Sequence, residues 1–193
     1  MTYNPLNFNG RVKSKDTPNP VTKTLKAAFD TARHEIWATT NFIHPVPEIK
    51  EALINAARRG VKVRIVTTGA KAGACKIYSD MPYVAAAQNY QDYTDVGIEI
   101  YETKEIMGHG KMYIIDDRMA GFGSYNLETS ADTSLFECLV FTHDKKVIRG
   151  VGDIIRNLIK DYCRRFDPVN RNIKKEFPVW KRFFAKFFAP LYI

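Results

Sequence analysis

The stretch that decides the fold is ATTNFIHPVPEIKEALINAARRGVKVRIVTT, residues 38–68. Its first residues finish a short, partly β-branched segment, and Pro47 then suits an early helical position. From Pro47 to Arg59 apolar residues recur at helical spacing, and Gly60 is typical of a helix end. The β-branched run at residues 61–68 indicates a second strand. The stretch therefore predicts a strand, a helix and a strand in succession.

The same alternation continues on both sides of this stretch. Upstream, apolar residues recur at helical spacing: Leu25, Ala28, Phe29 and Ala32. Downstream, Gly69 to Gly73 indicate a loop, Tyr83 to Tyr93 favour a helix, and IEIYE at residues 98–102 favours a strand. Strands separated by helices favour parallel pairing, with the helices packed on the sheet.

A hairpin follows the alternating region. Residues 111–116 and 119–123 are apolar runs joined by a polar turn, which is typical of an antiparallel pair. Residues 137–142 indicate another strand, and residues 146–164 indicate a basic helix with one Ile- and Leu-rich face. The predicted fold class is α/β, a mixed β-sheet flanked by helices on both faces.

The bulk composition fits one main domain. The chain has 193 residues, of which 45% are hydrophobic, so one domain can bury a core without disulfides or bound metals. We expect an extended arm over residues 1–20, one main domain over residues 21–170, and a basic amphipathic helix over residues 171–193. The net charge of +8 favours anionic partners, either phospholipid headgroups or nucleic acid.

Cysteine usage and the amino terminus bear on the compartment. Cys75, Cys138 and Cys163 are odd in number and widely spaced, which argues against a disulfide framework and a zinc site. A reducing, cytoplasmic location is the simpler interpretation. The first ten residues are polar and contain no apolar run suited to a signal peptide or a spanning helix. We therefore expect a soluble or surface-bound protein.

The chemistry is carried by HGKMYIIDDRMAGFGSYN, residues 109–126. His109 and Lys111 lie two residues apart at the head of a predicted strand, so both side chains leave the same face. An imidazole can attack phosphorus and form a phosphohistidine, while an ammonium neutralises the phosphate oxygens. Such a pair requires no metal and no cofactor. The other histidines, His34, His44 and His143, have no patterned partners and receive no role.

Ser124 and Asn126 form a second pair with the same spacing, and they follow the second strand of the hairpin. A hydroxyl and an amide placed there can donate to the same phosphate oxygens, and Gly123 suits a close approach of the backbone. The alternative is that both are ordinary turn residues. Asp116 joins the candidate catalytic set. Its position along the strand places its side chain on the face opposite to that of Lys111, which suits a supporting role rather than attack on phosphorus.

The segment fits HxKxxxxDxxxxxxGSxN at all six fixed positions and resembles the HKD motif of the phospholipase D superfamily. That superfamily includes phospholipases, cardiolipin synthases, phosphatidyltransferases and small nucleases. The resemblance extends over about residues 21–161, and residues 38–68 are similar to the unit that precedes the motif in cardiolipin-synthase-like members. It implies a phospholipase D-like fold in which two HKD motifs meet.

The resemblance also implies a role for Glu137 and an assembly. Family members commonly carry a glutamate at this position that hydrogen-bonds the nucleophilic histidine. Since one histidine attacks while another protonates the leaving oxygen, a chain with one motif is expected to form a symmetric homodimer. An amino-terminally truncated two-motif enzyme would show the same single motif.

Three functions stay open at this stage. The first is a phospholipid-directed phosphodiesterase or phosphatidyltransferase at a membrane surface, similar to phospholipase D or cardiolipin synthase. The second is a metal-independent single-motif endonuclease, favoured by the short chain, the positive charge and the SAD sequence at residues 130–132. The third is an inactive half that acts as a binding module. Leu135 and the Ser130–Ala131 pair depart from common family residues and weaken the substrate assignment.

The carboxyl-terminal segment contains an aromatic stripe at helical spacing. Its members are Trp180, Phe183, Phe184, Phe187, Phe188 and Leu191. Lys181, Arg182 and Lys186 lie opposite, which suits a helix in a membrane interface. The alternative is that the stripe packs on its own domain or on a partner.

Overall fold

The computed structural model describes residues 2–4, 19–70, 72, 80–133 and 135–192. Within them, eight strands form one sheet in the order β1-β7-β6-β5-β2-β3-β4-β8. The strands are β1 Thr2–Asn4, β2 Glu35–Thr39, β3 Lys62–Thr68, β4 Glu99–Thr103, β5 Met112–Ile115, β6 Met119–Gly123, β7 Glu137–Thr142 and β8 Cys163–Arg165.

Parallel and antiparallel pairs share this sheet. Strands β2, β3 and β4 are parallel neighbours, as the alternation of strands and helices predicts. Strand β5 runs antiparallel to β2, and β6 and β7 continue the antiparallel half. The predicted hairpin at β5 and β6 is confirmed, with Asp116 and Asp117 at positive φ values of 52° and 50° in its turn.

Helices cover both faces of the sheet, so the predicted α/β class is confirmed. In the described residues they are α1 Pro20–Asp30, α2 Pro47–Arg58, α3 Met81–Ala87, α4 Tyr90–Thr94, α5 Thr129–Thr133, α6 Lys145–Tyr162, α7 Ile173–Glu176 and α8 Val179–Tyr192. The larger core lies under α1 to α4, where Leu25, Leu53 and Tyr90 are buried. The smaller core lies under α6, where Ile148 and Ile155 pack on the opposite face.

Two predicted helices differ from the structure. The helix expected over residues 83–93 is split into α3 and α4 by a turn at which Asn89 Nδ2 donates to the Ala85 carbonyl. The helix expected over residues 146–164 ends at Tyr162, because Cys163–Arg165 pairs with the edge strand β4. Apolar spacing reports neither the turn nor the open edge of β4.

The amino-terminal segment is described only in part. Thr2–Asn4 forms β1 and pairs with β7, so a strand stands where the sequence indicated an arm without an element. Residues 5–18 of that arm, Cys75, and residues 71 and 73 of the predicted loop at 69–73 lie outside the described residues. The division into arm, domain and terminal helix stays a prediction.

A charged network ties the segment after β8 to the sheet. The Arg171 guanidinium pairs with the buried Glu102 carboxylate of β4 and with Glu176 at 2.8 Å. It also donates to the Tyr83 hydroxyl at 3.0 Å and stacks on the Phe166 ring, 5.1 Å from the ring centre. This network holds α7, and therefore the start of α8, against the domain. Among the helices of the described ranges, none has the length and apolar character needed to cross a bilayer.

Candidate active site at one edge of the sheet

Strand directions bring the motif residues to one edge of the sheet. The parallel strands β2, β3 and β4 end at this edge, and β5 begins there because it runs antiparallel to β2. By the same rule β6 ends there and β7 begins there. His109 and Lys111 precede β5, Ser124 and Asn126 follow β6, and Glu137 starts β7. Ligands of α/β sheets commonly bind at this carboxyl edge.

Threonine hydroxyls at the ends of β2 and β3 fix the backbone on both sides of His109. The Gly108 N–H donates to Thr68 Oγ1 at 3.0 Å. The Thr39 hydroxyl donates to the Gly110 carbonyl at 2.7 Å. The imidazole of His109 itself is exposed, so it can meet a substrate. The threonines lie far from the motif in sequence, and the motif gives no sign of them.

Lys111 is buried beside the histidine. Only 7% of its surface is exposed, and its ammonium donates to the His109 carbonyl at 2.7 Å. Burial lowers the pKa of Lys111, while the nearby carboxylates of Glu128 and Glu137 oppose that shift. The ammonium is therefore held at the backbone of the exposed His109.

Ser124 and Glu137 hold each other at the ends of β6 and β7. Cys138 N–H donates to Ser124 Oγ at 3.1 Å, and the Ser124 hydroxyl bonds the Glu137 carboxylate. Burial raises the pKa of Glu137, against the opposing effects of Ser124 and Lys111. A side chain at Gly123 would place its Cβ 2.0 Å from the Cys138 carbonyl oxygen, so only glycine fits this approach.

Asn126 belongs to a polar chain that reaches the histidine loop. Its Oδ1 accepts the Asn41 N–H at 3.2 Å, and Asn41 Oδ1 accepts the Thr68 hydroxyl at 3.0 Å. Since Thr68 also accepts the Gly108 N–H, two residues, Asn41 and Thr68, link Asn126 to the backbone next to His109. Asn41, two residues after the end of β2, is a site residue that the sequence did not indicate.

Glu128 is a second site residue that sequence reasoning missed. It is 5% exposed, and its Oε1 accepts the Phe42 N–H at 2.9 Å. Burial raises the pKa of Glu128 to about 7, with the Phe42 N–H and Lys111 opposing the shift and Glu137 adding to it. Its position two residues after Asn126 was the one feature of the sequence that could have indicated a place in the site. The site thus gathers two carboxyl groups around one ammonium.

Asp116 is not brought to this edge. It follows β5, at the opposite end of the strand from Lys111. Its carboxylate accepts three backbone N–H groups, from Arg33 at 2.8 Å, His34 at 2.7 Å and Glu35 at 2.9 Å. Although burial alone would raise it, these bonds and the guanidinium of Arg118 hold the pKa of Asp116 below its usual range. This geometry staples the hairpin turn to the start of β2.

The predicted Glu137–His109 contact is not made within one chain. Among the described residues, Glu137 Oε2 is buried and has no hydrogen-bond partner, and its carboxylate faces Ser124 and Lys111. The same part of the chain contains no group of three or more His, Cys, Asp or Glu side chains arranged to hold a metal ion.

Comparison with known sequences gives a consistent family. The sequence model described as "Cardiolipin synthase, PLD-like domain" matches residues 25–159. Cardiolipin synthase A of Buchnera aphidicola is 27% identical over 172 residues, covering 88% of this chain and 33% of that protein. Cardiolipin synthase B of Escherichia coli K12 is 28% identical over 138 residues, covering 70% of this chain and 32% of that protein. The chain therefore spans about a third of the length of these relatives.

Solved structures share the fold. Nuc of Salmonella typhimurium, a phospholipase D family member, is 22% identical with a TM-score of 0.59, covering 79% of this chain and 93% of that chain. Phosphatidylserine synthase of Haemophilus influenzae is 13% identical with a TM-score of 0.73, covering 94% of this chain and 44% of that chain. Similarity at these identities shows the fold alone.

Proposed function

This chain belongs to the family of cardiolipin synthase PLD-like domains in the phospholipase D superfamily, and on that premise we propose that it is a phosphodiesterase acting on phospholipids. The observation that carries the proposal is the placement of exposed His109 beside the buried Lys111 ammonium, at the edge where Ser124, Asn126 and Glu137 also lie. These are the groups that attack on phosphorus and stabilisation of its oxygens require.

In the proposed reaction the His109 imidazole forms a bond to phosphorus as the bond from phosphorus to the leaving-group oxygen breaks. A second imidazole gives that oxygen a proton. Lys111, Ser124 and Asn126 bind the nonbridging oxygens, where negative charge builds in the transition state. Water then attacks the phosphohistidine in a phospholipase D, whereas an alcohol attacks it in a phosphatidyltransferase. Both steps regenerate a free histidine.

The second imidazole is proposed to come from another copy of the chain in a symmetric homodimer. The single motif supplies one histidine at this edge, and isologous pairing about a twofold axis would bring two together. Exposed apolar residues flank the motif, with Ile106 and Met107 before His109 and Phe136 before Glu137. Such residues suit burial against a second copy.

We further propose that the enzyme works as a peripheral protein at a membrane surface in a reducing compartment such as the cytoplasm. A phosphodiester at a bilayer surface is within reach of an exposed histidine, and the net charge of +8 favours anionic headgroups.

A metal-independent endonuclease is the second candidate function. The same positive charge favours a nucleic-acid phosphodiester equally well. In the third possibility, the chain is an inactive half that only binds phosphodiesters.

Headgroup release separates these functions. Vesicles of phosphatidylglycerol or phosphatidylcholine, and in parallel supercoiled DNA, are incubated with the protein in excess chelator. We expect headgroup release by the wild type and at least a thousandfold slower release by His109→Ala. His143→Ala is the matched control, because His143 is exposed and bonds Arg118 near the hairpin turn, at the other edge.

The covalent step has its own readout. An acid-labile phosphatidyl adduct on the peptide containing His109, seen by mass spectrometry after rapid quenching, would support the phosphohistidine. DNA nicking without headgroup release would support the endonuclease. Binding without turnover of either substrate, at concentrations where the dimer is measured, would support the binding module.

A further inference from the structure

Helix α8 displays an aromatic surface. Among the side chains of α8 that the structure describes, five are exposed and define what we call the aromatic face: Val179, Trp180, Phe183, Phe184 and Phe187. Phe183 and Phe187 are 66% and 67% exposed and lie one helical turn apart. Large aromatic side chains clustered on one exposed face mark an interaction surface rather than a scatter of single residues.

The rest of the helix is anchored to the domain. Ala185 is 2% exposed, and α8 packs along α3. The Lys181 ammonium pairs with Asp80 at 2.5 Å, and Gln88 Nε2 donates to the Arg182 carbonyl at 3.3 Å. Because Asp80 and Gln88 flank α3 at its two ends, these contacts hold α8 in one position with the aromatic face outward.

Contacts between helices place α8 near the candidate active site. Helix α8 also contacts α5, which begins at Thr129 directly after Glu128. Glu128 in turn faces Lys111. A surface that received the aromatic face would therefore lie close to the phosphate-binding edge of the sheet.

The charge of this segment and the length of α8 indicate what kind of surface the aromatic face contacts. Residues 171–193 contain six basic residues; Arg171 and Lys181 form ion pairs within the domain, and the other four are Lys174, Lys175, Arg182 and Lys186. Fourteen residues of helix extend roughly 21 Å, which is shorter than the roughly 30 Å hydrocarbon core of a bilayer. Aromatic rings with basic neighbours suit the headgroup region of an anionic membrane.

We propose that the aromatic face of α8 docks on the surface of a bilayer that contains anionic phospholipid, with the helix lying in the interface. Docking would bring lipid headgroups to the edge at which His109 is exposed. This inference deepens the proposed function, on which it rests for its purpose, but membrane binding itself does not require turnover.

Vesicle flotation of the full-length chain tests the proposal. We expect the protein to float with phosphatidylglycerol vesicles, to float at least tenfold less with phosphatidylcholine vesicles, and to be released by added salt. The Phe183→Ser/Phe187→Ser double variant should lose at least tenfold in partitioning. Both side chains are exposed, so the fold should tolerate the change, which circular dichroism checks. Tyr162→Ser, at an exposed aromatic residue outside α8, is the matched control.

Fluorescence reports the same contact directly. The wild type contains Trp37 and Trp180; Trp37 stacks on Arg64 within the fold. We expect a blue shift of emission on adding phosphatidylglycerol vesicles, and we expect the shift to vanish in Trp180→Phe. Undiminished flotation of the double variant would overturn the proposal. So would a change from dimer to monomer in that variant without loss of flotation, which would make the face an interface between copies.

His109→Ala separates this inference from the proposed function. The variant should float with anionic vesicles as the wild type does. If the wild type floats but releases no headgroup, the proposed function fails while the docking surface stands. If the wild type releases headgroup from detergent-dispersed lipid but does not float, the docking surface fails alone.

Discussion

Replacing Asp116 by Asn should weaken folding and leave the chemistry intact. The Asp116 side chain is 1% exposed, and one or other carboxylate oxygen accepts each of the N–H groups of Arg33, His34 and Glu35. Asparagine is the informative change because Asp116 has a positive φ of 52°, which asparagine tolerates better than alanine. It keeps one carbonyl oxygen and replaces the other with an N–H₂ donor.

The expected loss is roughly 3 kcal/mol of unfolding free energy. If the remaining oxygen keeps the bonds from His34 and Glu35, the Arg33 N–H faces another donor, which costs about 1–3 kcal/mol. The two remaining bonds lose their ionic character, at about 0.5–1 kcal/mol each. The bond from Arg118 adds little because its side chain is 59% exposed. For a chain of this size, the sum lowers Tm by roughly 6–12 °C.

Thermal unfolding at pH 7, followed by circular dichroism, measures this loss. Asp117→Asn is the control, since the adjacent Asp117 is exposed and also has a positive φ. The loss should shrink in acid. Because the pKa of folded Asp116 is lowered, its contribution is present above the unfolded value of about 3.9 and disappears as pH falls through the folded value.

Activity decides between the two roles of Asp116. Headgroup release per folded molecule, measured well below both Tm values, should stay within about threefold of the wild type. A variant as stable as Asp117→Asn but inactive would refute the reasoning and return Asp116 to the catalytic set.

Two further predictions concern the residues that surround the motif. The raised pKa of Glu128 contributes stability that is present below about pH 4.3 and is lost as pH rises to about 7. Urea titrations at pH 5 and pH 8 should therefore show that Glu128→Gln loses less unfolding free energy between these two pH values than the wild type loses. Equal losses in the two proteins would contradict the assignment. Thr68→Val should lower kcat roughly tenfold with little change in KM, because the Gly108 N–H beside His109 loses its acceptor. Thr68→Ser keeps a hydroxyl and should restore the rate. A Thr68→Val enzyme with normal kcat would show that this bond does not position the histidine.

The sequence predicted the local part of the site. His109 and Lys111 lie just before β5, and the expectation that both side chains leave one face stays a prediction. The apolar runs around Asp116 likewise predict a hairpin, which carries Ser124 and Asn126 back to the edge where His109 lies. The hairpin depends on residues close in the chain, so periodicity and turn chemistry were sufficient to predict it.

The sequence by itself determined the α/β alternation, the hairpin and the motif, because each follows from contacts between near neighbours. Only the tertiary structure decided which residues support the motif. Thr68 meets Gly108 forty positions away, and Phe42 meets Glu128 across eighty-six. These contacts arise because parallel strands end at a common edge of the sheet. The spacing of these residues in the sequence does not predict them. The same applies to Asp116, whose place at the far edge follows from the direction of β5 in the folded sheet.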